Sequence, residues 1–213
     1  MIEVESIRMR FRHHEAVTEP ESFTIRPGSI CLVTGRNGVG KSTFLNVLNA
    51  INVPAQGTIR IDGQLVQYPG SRRPRTDAAD LANWGVARLF QETRYFFGRS
   101  VSDHLNALLP GRRPPPAVMD LLSAAGVAET KTRLSSGQHR LVNIALALAT
   151  GTRWCILDEP LARLDTTRIA AVVEVMRAVS HSGVGLIVVE HRLNVLTPHA
   201  DQAVRIIDAG ARF

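Results

Sequence analysis

The chain has 213 residues, 45% of them hydrophobic, and a mean hydropathy of +0.01, which fits one sizeable globular core with room for an inserted subdomain. No apolar run approaches the roughly 18 residues that span a bilayer, and Met1-Ile2-Glu3-Val4-Glu5 has neither the basic start nor the apolar stretch of a secretory leader, so any membrane role must work through a partner. A net charge of +6 and a pI of about 10.3 raise nucleic acid as a partner, but all basic residues except Lys41 and Lys131 are arginines, scattered with no aromatic-interleaved stripe.

In chain order, Ile2, Val4, Ile7, Met9 and Phe11 are apolar among polar neighbours, the near-period-two pattern of a half-buried strand over residues 1–12. Phe23-Thr24-Ile25 is a second strand candidate, and Pro27-Gly28 a turn. Ser29 to Thr34 is a continuous apolar run, as in a strand buried on both faces. It ends at a glycine-rich loop, and helical character follows from Ser42 to Ile51. Gly57 to Gly63 reads as a short strand closed by an Asp-Gly turn, and residues 69–80 as an exposed loop. Helices are predicted over Val101 to Leu109 and Ala117 to Ala125, divided by the proline-rich loop Pro110 to Pro116. Ser136 to Ala149 reads as a strongly apolar helix, Trp154 to Leu157 as a buried strand, Ile169 to Val179 as a helix, and Gly185 to Val189 and Val204 to Ile207 as further strands. Strands alternating with helices imply an α/β fold with a largely parallel sheet. Residues 92–149 carry no convincing strand and read as a helical insertion, which divides the chain into 1–91 with 150–213 and 92–149.

Gly35-Arg36-Asn37-Gly38-Val39-Gly40-Lys41-Ser42-Thr43 fits G-x-x-x-x-G-K-[ST]. Its glycines let backbone N–H groups turn inward as an anion nest, and the helix behind adds its positive end. Lys41 is placed to reach β- and γ-phosphates, and the Ser42 hydroxyl to ligate Mg²⁺. Ile156-Leu157-Asp158-Glu159 is an apolar strand ending in two acids. Alone that is weak. Beside a phosphate loop, Asp158 suits a water-mediated hold on Mg²⁺ and Glu159 a general base for water. Cys31 and Cys155 each lie in an apolar run and read as buried thiols rather than as a disulfide or metal pair.

With Leu134-Ser135-Ser136-Gly137-Gln138, the chain resembles the ATP-binding cassette (ABC) ATPases, whose signature is Leu-Ser-Gly-Gly-Gln. The resemblance covers nearly the whole chain in the family's motif order. It implies a P-loop NTPase core with a mainly parallel sheet, an N-terminal antiparallel β subdomain and an inserted helical subdomain. It matches Asn37 and Gly38 to the phosphate loop, Phe90-Gln91 to the Q-loop, whose glutamine touches Mg²⁺ and water, and Leu164-Asp165 to the D-loop. His191 matches the switch histidine at the γ-phosphate, and Phe11 the aromatic that stacks on adenine. Ser136 replaces the first signature glycine and Arg192 an acid common after the histidine. The Q-loop stretch from Ala87 to Phe96 is similar to that of branched-chain amino-acid importers. The implied partners are a second ATP-binding subunit, closing head to tail so that Ser135, Ser136, Gly137 and Gln138 face the other chain's ATP, and a polytopic permease. Tyr95, Phe96 and Phe97 are candidates for docking it. The implied location is cytoplasmic, on the inner face of the cell membrane. A soluble ABC ATPase acting on nucleic acid or the ribosome is the alternative. Such proteins usually fuse two cassettes or carry long coiled-coil or zinc-bearing insertions, which this sequence lacks.

Overall fold

The computed structural model describes residues 1–11, 13–69, 74–89, 100–109, 111, 113–127, 134–150 and 152–211. Three strands, β4 (Ile30–Thr34), β8 (Trp154–Asp158) and β9 (Gly185–Val189), are apolar at nearly every position. Side-chain alternation explains this, because each strand feeds two cores. Leu32, Leu157 and Val188 enter one; Val33, Ile156 and Val189 enter the other. The first core is closed by α3 (Val101–Leu108), α4 (Pro116–Ala124), α5 (Ser136–Ala149) and α6 (Thr166–His181). The second is closed by α1 (Lys41–Leu48), through Phe44, Leu45, Val47 and Leu48, and by Leu81 of α2 (Ala78–Asn83).

The remaining strands are β1 (Ile2–Arg10), β2 (Glu15–Glu19), β3 (Ser22–Ile25), β5 (Gln56–Ile61), β6 (Gln64–Leu65), β7 (Val86–Leu89) and β10 (Gln202–Asp208). The sheet order is β6-β5-β1-β2-β10-β4-β9-β8-β7, with β3 on β1. The five strands β10-β4-β9-β8-β7 run parallel, and β1, β2, β3, β5 and β6 pair antiparallel. The two parts join through the antiparallel pair β2–β10 and form one continuous sheet. β1 serves three neighbours: it pairs β3 over Ile2 to Glu5, β2 over Arg8 to Arg10, and β5 along both parts with a register shift between Glu5 and Arg8, where Ser6 takes φ 48°. At β9 Gly185 lies opposite Trp154, and a Cβ there would stand 2.3 Å from the indole, so only glycine admits the ring.

Three helix starts follow from reciprocal caps, Asp77 with Asp80, Ser100 with Asp103, and Ser135 with Gln138. The first corrects the sequence reading: the exposed loop placed at 69–80 gives way to α2 at Ala78. Pro116, placed in a loop, is the first residue of α4, where its fixed φ suits the first turn. β2 and β7 carry no clear period in sequence, being short and, in β7, interrupted by Arg88.

Candidate functional site

The site is built at the C-terminal ends of the parallel strands, where open α/β sheets gather their ligands. β4 ends at Thr34 and leads into Gly35 to Gly40; β8 ends at Asp158; β9 ends at Val189, ahead of Glu190 and His191. Register places these ends side by side, with Val33 opposite Val189 and Asp158 opposite Val189. Gly35, Gly38 and Gly40 have φ 144°, 75° and 115°, left-handed backbone that favours glycine, and Val39 N–H donates to the Arg36 carbonyl at 3.3 Å within the loop. A Cβ on Gly35 would stand 2.5 Å from the Ile206 carbonyl oxygen, so the loop can hug β10 only as glycine.

Lys41 opens α1 and is buried. Its Nζ donates to the carbonyl oxygens of Gly35 and Arg36, each at 3.0 Å. Burial lowers its pKa, and the carboxylates of Glu159 and Asp158 act against that shift. The ammonium is thus folded onto its own loop. Ser42 Oγ donates to Asp158 Oδ1 at 3.5 Å. Asp158 is 3% exposed. Burial raises its pKa, and the Ser42 hydroxyl and the Arg88 and Arg140 guanidiniums oppose the rise. Arg88, from β7, stands 3.9 Å from Asp158 Oδ2.

Glu159 sits at φ 50°, left-handed backbone that costs a non-glycine residue about 1–2 kcal/mol. Its N–H donates to the Val189 carbonyl at 2.8 Å. The carboxylate Oε1 is 3.0 Å from His191 Nε2. Phe11 follows β1; its N–H donates to the His14 carbonyl at 2.9 Å, and its ring stacks on His14 with centroids 4.5 Å apart and planes at 10°. Its Cζ lies 2.9 Å from where a Gly40 Cβ would stand. Phe11, Asn37, Gly38, Gly40, Lys41, Ser42, Thr43, Glu159 and His191 together line one cleft of about 250 Å³.

The fit to a divalent cation can be read from the donor set. Among the described residues no three His, Cys, Asp or Glu side chains gather as a metal cage. The Ser42 hydroxyl and the Asp158 carboxylate are two oxygen donors within hydrogen-bond reach. That pair suits Mg²⁺, which prefers one or two protein oxygens, substrate phosphates and water to an all-protein site.

Other predicted residues are placed elsewhere. Ser135, Ser136, Gly137 and Gln138 start α5 and do not line the cleft. The Ser135 hydroxyl accepts from Gln138 N at 3.3 Å, and Gln138 Oε1 accepts from Ser135 N at 3.0 Å. Asp165 caps α6 by accepting from Arg168 N at 2.9 Å and pairs with the Arg168 guanidinium at 3.0 Å. Gln91, Phe90, Tyr95, Phe96 and Phe97 lie outside the described residues. Two buried polar residues were not singled out from sequence. Arg140, on α5, donates to the carbonyl oxygens of Asp158 at 2.7 Å, Pro160 at 3.4 Å, and Glu159. Glu190 accepts from three backbone amides around the site. An ionisable residue at the end of an all-apolar strand was the available signal for Glu190.

Comparison with known proteins places this geometry. A family model described as ABC transporter matches residues 18–162. The arginine transport ATP-binding protein ArtM of Bacillus subtilis is 30% identical over 220 residues, covering 99% of this chain and 88% of that protein. The ribose import ATP-binding protein RbsA of Lacticaseibacillus paracasei is also 30% identical over 220 residues and 97% of this chain, but the chain spans only 42% of its length. Among solved structures, a nucleotide-free ATP-binding cassette from an ABC transporter has a TM-score of 0.74 at 22% identity, covering 97% of this chain and 89% of that one. The dimeric structure of a bacterial ABC transporter cassette gives 0.71 at 20% identity, with coverage of 96% and 94%. The chain has the ATP-binding-cassette fold, an α/β P-loop architecture, and belongs to the ABC transporter family.

Proposed function

We propose that this chain is the ATP-binding and ATP-hydrolysing subunit of an ABC transporter, closing with a second cassette around ATP and driving a separate membrane subunit. The observation that carries the reading is the cleft in which Lys41, Ser42, Glu159 and His191 converge, with Asp158 hydrogen-bonded to Ser42. Relatives named as import ATP-binding proteins support the transport role. No helix among the described residues is long and apolar enough to cross a membrane.

The glycine loop from Gly35 to Gly40 and the Lys41 ammonium hold the β- and γ-phosphates, and the Phe11 ring takes one face of the adenine. Bound Mg²⁺ neutralises charge on the phosphate oxygens; Ser42 and Asp158 are the residues that hold it. Glu159 accepts a proton from water as the water oxygen bonds to the γ-phosphorus, and the bond to the leaving ADP oxygen breaks. His191, in contact with Glu159, fixes that carboxylate and reaches the γ-phosphate. Gln91 completes the water and metal contacts. Ser135, Ser136, Gly137 and Gln138 lie outside their own chain's cleft and serve the partner's ATP, as does the D-loop residue Asp165. Residues 92–149 act as the helical subdomain that passes closure to the permease, and 1–91 with 150–213 as the nucleotide-binding part. The location that follows is the cytoplasmic face of the cell membrane. The scattered arginines and the transport-named relatives do not favour the nucleic-acid alternative. Lys41→Ala tests the reading: phosphate release should fall to background and a fluorescent ATP analogue should bind far more weakly. Near-normal turnover would refute the phosphate-loop assignment.

A further inference from the structure

We propose that Glu190 is a positioning residue for hydrolysis: its buried carboxylate ties His191 to the turn that carries Glu159, and so sets how the two side chains meet. The inference rests on the functional reading above and deepens it.

Glu190 is 4% exposed and follows the fully buried β9. A carboxylate in such a place is costly unless every lone pair finds a partner. Here the two oxygens divide the work. Oε1 accepts from His191 N at 2.7 Å and Arg192 N at 3.1 Å; Oε2 accepts from Leu161 N at 2.9 Å. One oxygen therefore holds the loop after β9, and the other holds the turn after β8. Arg140 holds that same turn by its carbonyls, at Asp158, Glu159 and Pro160. The Arg140 guanidinium also feels the Glu190 charge. Between these two buried side chains Glu159 is kept at φ 50° with Oε1 3.0 Å from His191 Nε2. Neither Glu190 nor Arg140 lines the cleft. Their effect on chemistry passes through the backbone of residues 158–161 and 190–192.

The asymmetry of the carboxylate supplies the test. Glu190→Gln keeps the shape and one acceptor, but sets an amide NH₂ against one of the two loops. The tie between them is cut while the rest stays. In steady-state ATPase assays of the whole chain, kcat should fall roughly 10- to 100-fold, the worth of a hydrogen bond to a charged group, while KM and the affinity for a fluorescent ATP analogue stay within about twofold. In a His191→Ala background the same change should cost less than about threefold, because the group it positions is gone. A full, multiplicative loss there, or equal losses in kcat, nucleotide affinity and Tm, would show a merely structural residue and overturn the proposal. If Glu190→Gln does not fold, amide hydrogen exchange on the wild-type chain decides. Leu161 and His191 amides should be strongly protected, and exchange at exposed-loop rates would overturn it. A wild-type chain that turns ATP over while Glu190→Gln keeps its kcat rejects this inference alone. A wild-type chain with no turnover rejects the functional reading and this inference with it.

Discussion

Replacing Arg140 by methionine removes the guanidinium that grips the end of β8 and leaves a side chain of similar reach. Arg140 is 8% exposed and donates to three backbone carbonyls, those of Asp158, Glu159 and Pro160. Its neighbours include the carboxylates of Asp158, Glu159 and Glu190. Each hydrogen bond to a charged group is worth about 1.5–3 kcal/mol. The sum is not recovered in full, because the guanidinium's own desolvation cost vanishes with it and the outer carbonyl can be rehydrated. Losing one member of a buried charged cluster costs about 3–5 kcal/mol. For a chain of this length that corresponds to a fall in Tm of roughly 6–20 °C. A second effect sits on top of the first. Glu159 is held in left-handed backbone, and without Arg140 it gains by relaxing toward ordinary φ. Catalysis should therefore fall even at temperatures where the variant is fully folded. Urea unfolding followed by circular dichroism gives the stability, and phosphate release at 20 °C gives kcat. Arg140→Lys should be intermediate, since a point charge cannot serve three acceptors as a fork does. A methionine variant within about 1 kcal/mol of wild type, with unchanged kcat, would refute the reasoning.

Two further outcomes follow from the same geometry. Phe11→Ala should raise KM for ATP with little change in kcat, because stacking on the base, worth roughly 1–3 kcal/mol, is equal in ground and transition states; an unchanged KM would move the adenine platform elsewhere. Burial pushes the Cys31 thiol up to about 11 and Cys155 up to about 12, against an ordinary value of 9.0. These thiols favour the folded state fully below pH 9 and lose that contribution as pH rises through 11 to 12, at about 1.4 kcal/mol per pH unit for each. Alkaline unfolding should begin above pH 9 and be reduced in Cys31→Ala, and the native chain should resist thiol reagents at pH 8. Rapid labelling of the native chain would contradict it.

The sequence carried the frame of the site because its strongest signals are local. A strand buried on both faces, a glycine loop and a helix follow one another within residues 29–48, and β4 and α1 form there. The helix read as Ser136 to Ala149 has those bounds, and its start is set by the reciprocal cap of Ser135 and Gln138. β2 was harder to see, since five residues that begin and end with glutamate offer too little period, and pairing with β1 and β10 makes it a strand. β7 was obscured by Arg88, a charged residue within the strand whose guanidinium stands 3.9 Å from Asp158 of the next strand. α2 was read as loop because its polar Asp77 and Asp80 hide a capping box whose second acid is one carbon short of the usual glutamate. Arg140 and Glu190 could be flagged as polar residues in apolar company, but nothing local says which amides and carbonyls they meet across the fold.

The central claim, that two copies of this site close around ATP, is tested most directly with Glu159→Gln. General-base catalysis contributes about 10²–10⁴-fold, so this variant should bind ATP and hydrolyse it very slowly, holding the closed state. Light scattering after gel filtration should show a monomer without nucleotide and a dimer with Mg²⁺ and ATP. Lys41→Ala in the same background should return it to monomer. A chain that stays monomeric with saturating ATP would contradict closure with its own copy and require a different partner cassette.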